Sequence, residues 1–431
     1  MVTTVKTRDA VATETLAWLK EAFGTYRPRE FGVRLWDGSE WEPESGQDAR
    51  FTLVLKHPGA LKRMFWPPNQ VTLGEAFIYD DFDIEGDLES AASLADHLGV
   101  LTGDVKRLVK LAWRLVTMPS PERECEGRVC AELDGRPHSK ERDRAAIAYH
   151  YDVSNDFFQV WLDPDMVYSC AYFERPDDDL GTAQQRKLDY ICRKLRLQPG
   201  ERLLDIGCGW GALAIHAARH YGAEVTGITL SEAQVRLAGE RIAEAGLADR
   251  CRVELLDYRD VEESRPFDKL VSVGMFEHVG AGLLPSYFEK TFRLLRPGGI
   301  FLNHGISAEA NTEKLSRGSS FSQKYVFPDG ELLPISTTLA IAERSGFEVR
   351  DVENLREHYA MTLRHWVRRL EKDAEVARAV VDDATYRVWR LFMAFSAYGF
   401  SRNTIQVHQS LLSKPDAGRS ELPLTRADWY E

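Results

Sequence analysis

Apolar residues recur along the chain in two rhythms, and the change between them divides it. Near the start, Thr15-Leu16-Ala17-Trp18-Leu19-Lys20 has the spacing of an amphipathic helix, while Phe31-Gly32-Val33-Arg34-Leu35-Trp36 and Phe51-Thr52-Leu53-Val54-Leu55 alternate as strands do. Asp37-Gly38 after the first run suits a hairpin turn. Together they predict a small α+β domain over residues 1–118. Its last element is a helix over Val105–Val116, apolar at helical spacing with Lys106, Arg107, Lys110 and Arg114 interleaved. Residues 119–145 open with Pro119-Ser120-Pro121, are charged, and show no period, which predicts a linker.

Beyond it, strand and helix patterns alternate. Arg202–Ile206, Glu224–Thr229, Lys269–Val273 and Gly299–Asn303 read as strands and Ala212–Ala218 as a helix. Strands separated by helices predict an α/β domain with a mostly parallel sheet over residues 146–431.

Composition adds limits. Of 431 residues, 44% are hydrophobic and 28% charged, which suits folded domains with sizeable cores. With 55 Lys+Arg against 67 Asp+Glu the net charge is −12, which argues against a nucleic-acid partner. No run approaches the ~20 apolar residues of a spanning helix, and Met1–Lys6 lacks a signal-peptide core, so a cytoplasmic protein is expected. The six cysteines are dispersed, and Cys125 with Cys130 has no neighbouring His, so neither a metal site nor disulfides are expected.

Chemistry first shows at Leu203-Leu204-Asp205-Ile206-Gly207-Cys208-Gly209-Trp210-Gly211, between a strand and a helix. Glycines there let the backbone approach a ligand at the carboxyl end of the strand. No Lys-Ser/Thr completes a phosphate loop. A nicotinamide site would want an acid at the end of the next strand, where Gly227-Ile228-Thr229-Leu230-Ser231 stands instead. The bland alternative is a tight turn with no ligand.

The G-x-G-x-G run resembles motif I of the class I methyltransferases that use S-adenosylmethionine (SAM). Four further runs join Gly227–Ser231 in narrowing the resemblance: His150–Phe158, Met166–Phe173, Gly274-Met275-Phe276-Glu277-His278-Val279-Gly280 and Tyr325-Val326-Phe327-Pro328-Asp329-Gly330. In this order they are similar to the cyclopropane-fatty-acyl-phospholipid synthases and to the related mycolic acid cyclopropane synthases, over about residues 146–410. The N-terminal region is similar in kind to the lipid-carrier-like domain of the full-length bacterial synthases.

The resemblance implies a Rossmann-like, seven-stranded sheet with helical lid insertions. It places Tyr168 and Ser169 at the methionine end of SAM with Gly207 and Gly209 beneath, Asp205 ordering the loop, Thr229, Leu230 and Gln234 along the ribose, and Tyr258, Arg259 and Val273 around adenine. It implies an acyl cis double bond that attacks the SAM methyl, and a bound bicarbonate that takes the proton whose loss closes the ring. Cys170, Glu277, His304, the backbone at Ile306, and Tyr359 correspond to the bicarbonate cradle. Taken singly, Cys170 reads as a buried thiol and Glu277 as an acid in a first helical turn. His304, at a strand's carboxyl end, has the better functional position. Tyr359 rests on the run His358–Leu363 ahead of a Trp-containing helix. Asn303 and Gly305 flank His304 where the family usually has an apolar residue and Thr. Between Val376 and Ser410, Trp389, Phe392, Met393, Phe395, Tyr398 and Phe400 recur at near-helical spacing, as core packing or as an acyl channel.

The resulting expectation is a cyclopropane-fatty-acyl-phospholipid synthase. A fatty-acyl C-methyltransferase giving methyl- or methylene-branched chains, a small-molecule methyltransferase, and a non-catalytic lipid carrier are the alternatives. The expected partner is an unsaturated phospholipid surface at the inner membrane face, reached peripherally through Lys106, Arg107, Lys110 and Arg114 or left to another surface if that helix packs between domains. A homodimer follows by analogy.

Overall fold

The computed structural model describes residues 10–101, 104–119, 126–151, 153–310, 320–420 and 422–430. Part of the expected linker, with Ser120, Pro121 and Cys125, and Asp152 of the His150–Phe158 run lie outside them. Two compact units are present: residues up to Cys130 with Ser319–Tyr325 and Asp382–Tyr398, and the remainder. The first unit thus takes in two segments from the region that the sequence assigns wholly to catalysis.

In the first unit β1 (Phe31–Arg34), β2 (Glu40–Trp41), β3 (Phe51–Leu55) and β4 (Phe82–Gly86) pair in the order β2-β1-β3-β4. β1 runs parallel to β3, and the other pairs are antiparallel. The hairpin at Asp37-Gly38 is present, with Gly38 at φ +83 and the Leu35 N–H donating to the Ser39 carbonyl at 2.9 Å. Helix Val105–Thr117 buries Leu111 and Leu115, and the Trp18 indole N–H donates to the Leu111 carbonyl at 3.0 Å. Its basic residues are mostly engaged. Arg114 pairs with Glu21 at 2.7 Å and with Glu14, Lys110 with Glu21 at 2.8 Å, and Arg107 donates to the Glu21 carbonyl. The free face instead carries Val105, Val109, Trp113 and Val116, all exposed. On helix Asp383–Ser401, buried Arg387 donates to the carbonyls of Phe77 (2.6 Å) and Phe82 (2.8 Å) and pairs with Asp83 at 3.1 Å.

In the second unit seven strands, β5 (Arg202–Ile206), β6 (Glu224–Thr229), β7 (Cys251–Leu255), β8 (Phe267–Val273), β9 (Leu295–Ala308), β10 (Glu348–Asn354) and β11 (Ile405–Ser413), pair in the order β10-β11-β9-β8-β5-β6-β7. β11 is antiparallel to both neighbours, and the other pairs are parallel. Side chains alternate across the sheet into two cores. Leu203, Val225, Val271, Leu302 and Leu411 face one, and Leu204, Ile228, Leu270, Phe301 and Leu412 the other. With both faces covered, strands read as apolar runs rather than as alternation. β5 and β8 therefore end together beside the turn to helix Ala212–Tyr221, the place where ligands bind in open α/β sheets.

Two sequence expectations change. The linker gives way at Lys140 to helix Lys140–Tyr151. Its charged residues hid it, because Arg142 pairs with Asp329 (2.9 Å) and Asp143 with Arg259 (2.8 Å) where an apolar stripe would otherwise stand. The segment after Val376 is not one helical run. Helices Ala374–Val380 and Asp383–Ser401 are followed by β11, after a turn with Asn403 at φ +63. Trp389, Met393 and Phe400 are buried. Among the described residues no helix is long and apolar enough to cross a membrane.

Candidate active site

The Gly207 turn is drawn tight by its own backbone. The N–H groups of Gly207 and Cys208 both donate to the Ile228 carbonyl, at 2.9 and 3.1 Å, and Gly207, Gly209 and Gly211 all have positive φ (+82, +55 and +81). A side chain at Gly207 would be strained and would stand 2.8 Å from Met275 Cβ and Cγ.

Over this turn lies a cavity of about 140 Å³. Tyr168, Ser169, Asp205, Gly207, Gly209, Thr229, Leu230, Gln234, Tyr258, Arg259 and Val273 all line it. Thr229 Oγ1 donates to Gln234 Oε1 at 2.6 Å, and Ser231 caps helix Glu232–Glu244 through the Gln234 N–H. Arg259 is less available than its position suggests. Its guanidinium donates to Asp257 (2.6 Å), Asp143 (2.8 Å) and the His138 carbonyl (3.2 Å), so it braces the cavity wall.

Buried Lys187, which no sequence motif signalled, also lines the cavity and donates to Ser169 Oγ at 2.7 Å. Burial lowers its ammonium to about 8 against the pull of Cys170, Asp163 and Asp205. Burial likewise raises Asp205 to about 7, opposed by Lys187. The cavity wall near Ser169 and Asp205 thus holds one basic and one acidic group in a medium that strengthens their fields.

Cys170, Glu277, His304, Ile306 and Tyr359 do not line the cavity; they form a second cluster one residue or one strand away. Ser169 precedes Cys170, and Val273 faces His304 across the β8–β9 pair. Glu277, in the turn Phe276–His278, accepts from the Ile306 N–H at Oε1 (2.7 Å). Ile306 therefore acts by holding that carboxyl. The Cys170 thiol and the Tyr359 N–H share the Leu355 carbonyl, at 3.7 and 3.0 Å. Burial raises both the Cys170 thiol and the Tyr359 phenol, and the phenol also feels Cys170 and Glu277.

The unusual neighbours of His304 have structural roles. Tyr287 donates to Asn303 Oδ1 at 3.1 Å. Gly305 leaves the space taken by the Phe276 ring, which any Cβ there would overlap.

Two buried atoms of the cluster, Glu277 Oε2 and His304 Nε2, have no hydrogen-bond partner among the described residues. Buried polar groups are almost always satisfied, so each of these atoms has a hydrogen bond to offer a small polar ligand. Burial raises the Glu277 carboxyl to about 7 against the Ile306 N–H, and it lowers His304 far below the usual imidazole range, helped by Lys187, Lys194 and His408. A neutral imidazole and a carboxyl near its midpoint together carry at most one negative charge.

Sheet order, glycine turn and cavity together define a class I SAM-dependent methyltransferase. The chain belongs to the family described as mycolic acid cyclopropane synthetase, whose model matches residues 138–410; residues 18–96 match a domain of unknown function, DUF7884. A probable fatty acid methyltransferase of Pseudomonas putida is 44% identical over 92% of this chain and 95% of its own length. The cyclopropane-fatty-acyl-phospholipid synthase of Escherichia coli K12 is 39% identical over 64% of this chain and 69% of its own. Among solved structures, mycolic acid cyclopropane synthase CmaA1 complexed with SAH and CTAB is 35% identical, covers 62% of this chain and 97% of its own, and gives a TM-score of 0.59.

Proposed function

We propose that the protein transfers the methyl of SAM to a cis double bond in the acyl chain of an unsaturated phospholipid and closes a cyclopropane ring. The observation that carries this reading is that Glu277 Oε2 and His304 Nε2 are both buried and without a hydrogen-bond partner among the described residues, with His304 one strand from the cofactor cavity. When bound, SAM supplies an electrophilic methyl on a sulfonium. An alkene is a weak nucleophile, so the chain's own work is to align it and keep water from the cation. Tyr168, which lines the cavity, is backed by the buried rings of Phe158, Trp161 and Trp366, packed with centroids 5.3 to 5.6 Å apart, and would keep water out on that side.

A base must then stand beside the cation without itself being alkylated. Glu277, His304, Cys170 and Tyr359 would hold bicarbonate, which would supply that basicity. Glu277 would accept from its hydroxyl, and His304 and Tyr359 would donate to its other oxygens. The lipid surface is met through the exposed stripe Val105, Val109, Trp113 and Val116, with exposed Lys106 and Lys110 alongside, the pattern of a helix lying in a bilayer interface.

A second reading, a methyl- or methylene-branched product, is favoured by two relatives. The Pseudomonas putida protein is named as a probable fatty acid methyltransferase, and a Mycobacterium tuberculosis protein of that description is 37% identical over 96% of this chain. The readings part in the fate of the cation: loss of a methyl proton with ring closure gives the cyclopropane, a 1,2-hydride shift before proton loss gives a methylene branch or a methyl-branched alkene, and a saturated methyl branch would need an added hydride donor. Incubation with SAM and cis-unsaturated phospholipid vesicles, followed by proton NMR of the acyl esters, separates them: high-field ring protons for the first, vinyl or branched-methyl signals for the second.

A further inference from the structure

Strand register lays four residues in one row across the sheet. Glu353 on β10 faces Gln409 on β11, Gln409 faces His304 on β9, and His304 faces Val273 on β8. Residues opposite one another on paired strands share a face of the sheet. Lys194, from helix Leu180–Leu195, binds Glu353 and donates to Gln409 Oε1 at 2.9 Å, while Gln409 Nε2 meets His304 Nδ1 at 3.2 Å. Lys194, Gln409 and His304 are each 1% exposed, so these contacts are shielded from bulk solvent.

The donor inventory fixes every proton in this chain. A lysine ammonium only donates, so the amide of Gln409 must turn its oxygen to Lys194 and its NH₂ to the histidine. An NH₂ group cannot accept, so His304 Nδ1 must be the bare nitrogen. The ring is neutral, as its burial among Lys187, Lys194 and His408 requires, and carries its single proton on Nε2.

We propose that Lys194 and Gln409 are positioning residues that lock His304 in the Nε2–H tautomer, so that the cluster offers a donor there and binds a ligand atom with a lone pair. His304 Nε2–H is a donor, and Glu277 Oε2 is an acceptor when that carboxyl is ionised. The site is therefore polarised for an oxyanion bearing one hydroxyl, rather than one fully deprotonated. That ligand assignment rests on the proposed function; the tautomer does not.

The test is long-range proton–nitrogen NMR of the full-length protein labelled with ¹⁵N-histidine, with His304 assigned from its loss in His304→Gln. The wild type should show a pyrrole-like Nε2 and a pyridine-like Nδ1. In Gln409→Glu the new carboxylate keeps Lys194 but accepts from the ring, so the pyrrole-like signal should move to Nδ1. Turnover should then fall roughly 10²-fold or more, as when a catalytic histidine is held in the wrong tautomer, with SAM affinity unchanged. A pyrrole-like Nδ1 in the wild type, or an unmoved tautomer in folded Gln409→Glu, overturns the proposal. The wild-type spectrum decides even where the variant fails to fold. The stated tautomer in an enzyme indifferent to bicarbonate would uphold the relay and remove the proposed base.

Discussion

The cofactor cavity and the Glu277–His304 cluster stand side by side at the same edge of one sheet and are made in opposite ways. The cavity's floor is backbone: three glycines at positive φ, two N–H groups on one carbonyl, and the start of helix Ala212–Tyr221. The cluster is side chain, assembled from the 169–171 segment, the Phe276–His278 turn, β9 and helix Arg356–Lys372. A backbone site is specified by a short run of sequence and tolerates change in the side chains around it. A side-chain site is specified by register between distant strands, and a single amide or carboxyl decides its polarity.

Replacing single groups on either side measures that difference. The largest effect is expected for Glu277→Gln. The Ile306 N–H demands an acceptor at Oε1, so the variant's NH₂ must occupy the Oε2 place and present a donor where an acceptor is needed. Turnover should drop by about 10³-fold, the scale of losing a positioned base, while SAM binding by calorimetry stays within twofold. A near-normal rate would mean that the cluster does not hold the base.

Gly207→Ala should do the reverse, weakening SAM binding about tenfold and lowering stability by roughly 1–2 kcal/mol, the penalty of a left-handed backbone for a residue with a Cβ. Binding titration and thermal melting check it; an unaffected variant would deny the glycine turn its role.

The smallest effect concerns Asp205. Its carboxyl lies near 7 in the fold, above its unfolded value near 4, so the folded protein binds that proton more tightly and loses stability as pH rises from about 4 to 7. Asp205→Asn removes this loss. The melting temperature of the cofactor-free variant should gain on the wild type by a few degrees between pH 5 and pH 8. A constant gap would place the titration elsewhere.

The contrast also explains what the sequence discloses. The alternation of β5, Ala212–Tyr221 and β6 shows the sheet, and the glycine run with Asp205 shows where a ligand approaches it; the rest of the eleven residues that line the cavity are named through the family resemblance. Helix Lys140–Tyr151 escapes because ion pairs replace its apolar stripe. β11 escapes because an inner strand buried on both faces follows a helix without alternation. Of the cluster residues only His304 carries a local signal, its place at a strand's carboxyl end; Cys170, Glu277 and Tyr359 are reached only through family resemblance. Lys187 and Gln409 carry neither: their meaning is a helix face and a strand register, which exist only once the chain is folded.

The most direct measurement follows a labelled methyl. Wild-type protein incubated with [methyl-¹³C]SAM and vesicles of cis-unsaturated phospholipid should place the label in a ring methylene, with its protons at high field. Label in an exocyclic methylene or a branched methyl, or none in the acyl chain, would contradict cyclopropane formation at this site.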